Sequence, residues 1–315
     1  MKMTTGMKPN RWELLKGYFK QGYMDSDTHL LSAWADARKL TKNQRVSLSL
    51  IYSTCYNVPT AVFIYHLVEE LGMTAQEVWD TYKPALIFQT DRKWVKINGS
   101  FAQLMDSFET LKPYSNWLKP LFKADNPFDA VYDSFTQLKG QGRVSAYILL
   151  DGLQVTGVMK PCCATQFDWQ NGQTVTEGMF MALGMDEEAE QFKKGKHRLT
   201  QHEIATLNQG LERLMSELED EGERADNILD YESNLCAYRK YFKGSMYYGY
   251  YMDRQLEELI KLQRNISGYD FLWDELFALR KAIYPANLLG EVSGWNGIRK
   301  HRFDEFLRTG DISYE

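Results

Sequence analysis

Apolar positions along this chain recur at helical spacing far more often than they alternate. After Thr200, the residues Ile204, Leu207, Leu211, Leu214 and Leu218 fall on one face of a helix, while Glu212, Arg213, Glu217, Glu219 and Asp220 occupy the opposite face. Thr41 with Gln44, Thr74 with Glu77 and Thr200 with Glu203 fit the capping box, in which each partner satisfies a backbone N–H of the other. Asn126 before Pro127 reads as an N-cap with proline at the first helical position. The same spacing predicts helices over 11–21, 44–55, 60–71, 76–88, 128–138, 144–154, 227–242, 248–263, 271–283 and 302–307, the last ended by Gly310. Another runs through Val175, Met179 and Leu183 to Gly184. Period-two alternation is confined to the short stretches 95–97 and 155–158. The pattern predicts an all-α, or nearly all-α, helical enzyme. Residues 1–10 are expected to be disordered or extended. Residues 11–315 then form a single helical catalytic domain, or two lobes (11–125 and 126–315) sharing a cleft.

Composition narrows this picture at three points. No apolar run reaches the roughly 20 residues needed to cross a bilayer, and residues 1–10 lack the apolar stretch of a signal peptide. Cys55, Cys162, Cys163 and Cys236 show no C-x-x-C spacing, so reduced cytosolic thiols are expected, with no structural zinc and no metal. The net charge of −5 argues against coating DNA by charge alone, but not against local contact through basic clusters. Such clusters occur at Arg92, Lys93 and Lys96, at Lys193, Lys194, Lys196 and Arg198, at Arg239, Lys240 and Lys243, and at Arg299, Lys300 and Arg302.

Two constellations are candidates to carry chemistry. The first is Leu138-Lys139-Gly140-Gln141-Gly142-Arg143, a glycine-bearing turn between two predicted helices. Such a turn exposes backbone N–H groups at a helix start, where a DNA phosphate can be held without reading sequence. Asp168 follows, ahead of the next helix, and the order of hairpin, helix and aspartate is similar to that of the helix-hairpin-helix DNA glycosylases. An Asx-turn or a helix N-cap is the alternative role for Asp168. The second is the run from Tyr231 to Glu258, where charged side chains three and four apart are interleaved with tyrosines. It suits a site for a planar base and a polyanion, or an ion-pair network bracing two helices.

The run 231–258 also resembles the C-terminal motif of the phage amino acid:DNA transferases, the alpha-glutamyl/putrescinyl thymine pyrophosphorylase clade. The likeness extends to 45–59 with its Asn-Val-Pro-Thr ending, to Phe88-Gln89-Thr90-Asp91-Arg92-Lys93, to Gly142-Arg143-Val144-Ser145-Ala146-Tyr147, to Met181-Ala182-Leu183-Gly184, and to 300–310. The resemblance implies transfer of a free amino acid onto the 5-methylene of pyrophosphorylated 5-hydroxymethyluracil in double-stranded DNA, with release of pyrophosphate. A 5-hydroxymethyluracil DNA kinase would supply the substrate, the setting would be the cytoplasm of an infected bacterial cell, and no cofactor is implied. Enclosing the base calls for extruding it from the duplex. The leaving group calls for cations, and the incoming ammonium for a base.

On this reading Asp168 is the candidate catalytic residue. Arg45, Arg92, Lys93, Arg143 and Lys240 are the candidates for pyrophosphate and DNA phosphates. Asp91, Asp253 and Arg254 are the candidates for the amino acid, and Tyr147 and Tyr251 for the base. The competing expectations are a glycosylase that uses the same hairpin and Asp168, and a non-catalytic DNA-binding protein.

Overall fold

The computed structural model describes residues 10–20, 26–89, 113–138, 140–161, 167–193, 197–222, 228–243, 246 and 250–284. Among them the fold is helical and contains no strand. In chain order the helices are α1 (Arg11–Lys20), α2 (Ser26–Ala37), α3 (Lys42–Cys55), α4 (Val58–Tyr65), α5 (Ala75–Tyr82), α6 (Pro127–Thr136) and α7 (Arg143–Val155). They continue as α8 (Gln173–Ala182), α9 (Asp186–Lys193), α10 (Gln201–Asp220), α11 (Ile228–Phe242), α12 (Tyr250–Asn265) and α13 (Asp270–Ile283). A π-helical turn, His66–Glu70, extends α4, and a second, Pro113–Leu118, runs into one α-helical turn, Lys119–Leu121.

Local sequence accounts for most helix starts. All three capping boxes form, with Thr41, Thr74 and Thr200 each accepting from the backbone N–H three residues on. Asn126 caps α6 with Pro127 at its first position. Helix α5 stops at Tyr82, short of the predicted 88. Pro84 has no N–H to continue the ladder, and Ala85 and Leu86 instead donate to the Tyr82 carbonyl. The stretch 155–158, expected as strand, is the end of α7 and the turn after it, where Gly157 takes φ of 72°. Helices α2 and α9 are not among the predicted ones, while 95–97, 302–307 and Gly310 lie outside the described residues. Between α6 and α7, Gly140 takes φ of 79° and Gly142 is the N-cap of α7, both exposed.

The chain divides into two compact units that interleave along the sequence. One holds α1 and α8–α11, and the other holds α2–α7, α12 and α13. The break does not fall at 125/126, because α7 packs on α2 and α3 and so draws 126–162 into the unit of 26–89.

In the first unit, α8 packs on α9, α10 and α11, and α1 lies on α8 and α11. Leu207, Leu211, Leu214 and Leu218 of α10 are buried, as its periodicity requires. Its polar face has a bracing role as well. Glu217 accepts from Trp12 Nε1 at 2.8 Å and from Arg213 Nε at 2.7 Å, and lies 3.1 Å from Lys16 Nζ, so α10 holds α1 by charge. Those donors outweigh burial and draw the Glu217 carboxyl down to about 2.

In the second unit, α4 is buried along its whole length, from Val58 to Tyr65. Phe63 packs its ring against Tyr82, Tyr269 and Trp273. Arg38, just past the end of α2, grips Glu275 of α13 in a two-point bridge of 2.8 and 2.6 Å, and Trp34 of α2 donates to the same carboxylate. Among the described residues no helix is long and apolar enough to cross a membrane.

The crossing of α8 and α11 depends on Gly178, since a Cβ there would collide with the Leu235 carbonyl, a backbone group that cannot swing aside. Gly178→Ala is therefore expected to destabilise the protein by roughly 1–3 kcal/mol despite alanine's better helix propensity. Gly142→Ala, which has open space around it, should cost less, about 0.5 kcal/mol for the poorer N-cap. Urea unfolding of both variants checks this, and equal midpoints would refute the packing argument.

Candidate functional site

A buried polar cluster in the second unit forms around α12. Spacing along that helix places Gln255, Leu256, Leu259 and Leu262 inward and sets Tyr251, Arg254 and Glu258 on the flank. Arg254 lies over the Tyr251 ring, 4.8 Å from its centroid, and 3.7 Å from the Glu258 carboxylate. Asp253 is buried, with 3% of its surface exposed.

Four other parts of the chain close on these side chains. From α2, Asp27 is buried and accepts from Gln255 Nε2 at 2.7 Å. From α13, Arg280 donates to Gln255 Oε1 at 2.8 Å and to the Met252 carbonyl at 2.9 Å. From the junction of α3 and α4, Asn57 Nδ2 donates to Glu258 Oε2 at 2.7 Å. Gln89, whose backbone N–H is anchored on the Cys55 carbonyl at 2.9 Å, donates its side-chain amide to Glu258 Oε1. Tyr56, between Cys55 and Asn57, takes the left-handed conformation at φ 50°, uncommon for a residue with a Cβ.

The electrostatics follow from burial. Desolvation pushes the Glu258 carboxyl up from its ordinary 4.5 to about 7, while Arg254 and the Gln89 amide pull it down and Asp27 and Glu257 add to the rise. Asp27 is likewise raised by burial, against Arg254, Gln255 and Arg280. Burial works against the Arg254 charge, but Asp27 and Glu258 more than offset it and keep the guanidinium protonated. Such a site can hold a proton at Glu258 near neutral pH and give it up again, beside a permanent positive charge.

The residues singled out from the sequence fall differently in the structure. Tyr251, Asp253 and Arg254 belong to this cluster. Arg45 is in the same unit but serves as a brace. It donates to the Leu40 and Thr156 carbonyls at 2.9 and 2.7 Å and pairs with Asp36 at 2.7 Å. Arg143 stands at the hairpin with its guanidinium 4.5 Å from the Tyr147 ring centroid, and Tyr147 packs against Phe128 and Tyr132. Asp91, Arg92 and Lys93 lie outside the described residues.

Asp168 and Lys240 belong to the other unit. Asp168 Oδ1 accepts from the backbone and side-chain nitrogens of Asn171, both at 3.1 Å, and its carbonyl accepts from Gly172 N at 3.0 Å. The aspartate thus closes the turn before α8, whose N-cap is Gly172. Lys240 is half-buried on α11 beside Cys236, whose thiol is pushed up by burial, with Lys240 opposing. Also in that unit, Glu177 is buried and paired with Arg239 at 2.7 Å and Lys243 at 3.1 Å.

The central roles of Asp27, Asn57, Gln89, Gln255, Glu258 and Arg280 are not assigned by sequence reasoning. Asn57, Gln89 and Glu258 stand inside the resembling segments, and Asn57 before Val58-Pro59-Thr60 carries an N-cap signal that could have drawn attention to it. Nothing local marks Asp27 or Arg280. Among the described residues, no three His, Cys, Asp or Glu side chains are grouped to hold a metal ion.

A titration separates Glu258 from its surroundings. Its folded value lies above its unfolded one, so between about 4.5 and 7 the folded state retains a proton the unfolded state has lost. Stability from this group is therefore full below the window and falls as pH rises through it, by on the order of 3 kcal/mol. Glu258→Gln is expected to flatten that part of the profile, gaining on the wild type from pH 5 to pH 8 in denaturant unfolding. Parallel profiles would show that Glu258 does not titrate in this window. In comparisons with known proteins, no family model, no curated protein and no solved structure matches this chain.

Proposed function

We propose that this chain is an amino acid:DNA transferase that hypermodifies thymine. The bond between the 5-methylene and the pyrophosphate oxygen breaks, the amino acid's nucleophile bonds to the methylene, and the nucleophile's proton passes to a base. The observation that carries the reading is the meeting at Glu258 of three segments that resemble this family, contributing Asn57, Gln89 and the 251–258 stretch of α12. Segments far apart in sequence share one carboxylate, as residues of one site would.

On this reading Glu258 takes the proton from the incoming ammonium, a task suited to a carboxyl held near 7. Arg254 pairs with the amino acid's carboxylate, and Tyr251 supports the guanidinium. The exposed hairpin at Gly140 and Gly142, with Arg143 and Tyr147, meets the DNA backbone and base in the manner of a helix-hairpin-helix. Arg92 and Lys93 are proposed for the phosphates, and Asp91 and Asp253 for orienting the amino acid. A 5-hydroxymethyluracil DNA kinase supplies the activated DNA. Because the leaving group is already activated, the step needs no ATP. Asp168 is the rival base, but its bonds to Asn171 describe a turn that asparagine would close equally well.

The test is incubation with DNA carrying pyrophosphorylated 5-hydroxymethyluracil and mixed amino acids, followed by nucleoside mass spectrometry. An amino-acyl thymidine mass is expected. Unchanged nucleosides would overturn the proposal, and abasic sites would point to a glycosylase instead. Glu258→Gln should slow single-turnover transfer about a hundredfold to ten-thousandfold, and Asp168→Asn should leave it near the wild-type rate. The reverse order would move the base to Asp168.

A further inference from the structure

The cap of α4 and the Glu258 carboxylate share one side chain. Asn57 is 1% exposed, so water cannot stand in for either of its partners. Its Oδ1 accepts from Thr60 N at 2.9 Å and so caps α4, and its Nδ2 donates to Glu258 Oε2 at 2.7 Å. The two bonds determine each other. Turning the amide over would set NH₂ against the Thr60 N–H and an oxygen against a carboxylate, losing both bonds at once. The residue cannot swing away, because its own carbonyl accepts from Ala61 N at 2.9 Å in the first turn of α4.

We propose that Asn57 is the positioning residue of the Glu258 site, presenting a fixed N–H donor that sets the orientation and the ionisation of the carboxylate. The consequence for transfer rests on the function proposed above, but the placement of the carboxylate does not. The charged groups that face Glu258 are Arg254 and Glu257 from its own helix and Asp27 from α2. Asn57 and Gln89 are its neutral donors.

Asn57→Asp separates the two duties. Aspartate caps a helix about as well as asparagine, but it would turn a carboxylate oxygen towards Glu258 in place of the donor. Two carboxylates at that separation share a proton. With glutamate carboxyls labelled with carbon-13, and the Glu258 signal assigned by its absence in Glu258→Gln, Asn57→Asp should raise the proton affinity of Glu258 about tenfold or more. Asn57→Ser keeps a capping oxygen and removes the amide N–H without adding charge, its own hydroxyl ending one bond short of Nδ2, and should raise it about threefold to tenfold. Should the aspartate variant fail to fold, the serine variant decides the matter alone. A folded Asn57→Ser protein in which Glu258 titrates as in the wild type would reduce Asn57 to a cap and overturn the proposal. The titration reads the carboxyl directly, so absence of transfer in the wild type would sink the proposed function while leaving this result standing.

Discussion

A helix buried on every side must close its first turn from within the protein, since water cannot reach its open N–H groups. Helix α4 is in that position, with all eight residues buried, and Asn57 closes it. The rest of the α12 cluster follows from this one hydrogen bond. Capping commits the oxygen of the amide, the nitrogen must then find an acceptor, and Glu258 is the acceptor it finds. A carboxylate so deep calls for positive charge, which Arg254 supplies, and Arg254 in turn lies in the field of Asp27. Asp27 is tied through Gln255 to Arg280, which ends on the Met252 carbonyl.

Such an arrangement is a poor way to make a protein stable. Removing carboxylates and guanidinium groups from water costs several kcal/mol each, and apolar side chains of similar size often do as well or better in the same space. Helices α2, α12 and α13 could be joined by leucine and phenylalanine, as Phe63, Trp273 and Tyr269 join α4 to α13 a short way along. The bridge from Arg38 to Glu275 also holds α2 to α13 already. The presence of cheaper bracing beside a carboxyl near neutrality is in keeping with the chemistry proposed above.

What the sequence made legible was local. Capping boxes are decided by residues three apart, so Thr41, Thr74 and Thr200 announce their helices. The Leu207–Leu218 stripe announces the buried face of α10 in the same way. Helix α2 went unread although Leu30, Leu31, Trp34 and Ala35 form its apolar face, and with it Asp27 was missed. Arg45 shows the opposite limit. A cation inside a resembling segment looks like a phosphate ligand until Leu40, Thr156 and Asp36 are seen to occupy it. The state of Glu258 was not readable at all, because desolvation and the field of Asp27 depend on which distant segments the fold brings together.

The interleaving of the two units also governs how the chain is made. The bond from Gln255 to Asp27 spans 228 positions, which take in most of its own unit and a segment of the other. At ordinary translation speeds of about 5–20 residues per second, Asp27 is joined to the chain roughly 11–46 s before Gln255. Through that interval α2 has neither α12 nor α13 to cover it, and its aspartate remains hydrated and charged. Among the described residues α12 and α13 come last in this unit, so a ribosome that stalls before Gln255 leaves a nascent chain in which α2 lacks its α13 contacts and the Glu258 site is absent altogether.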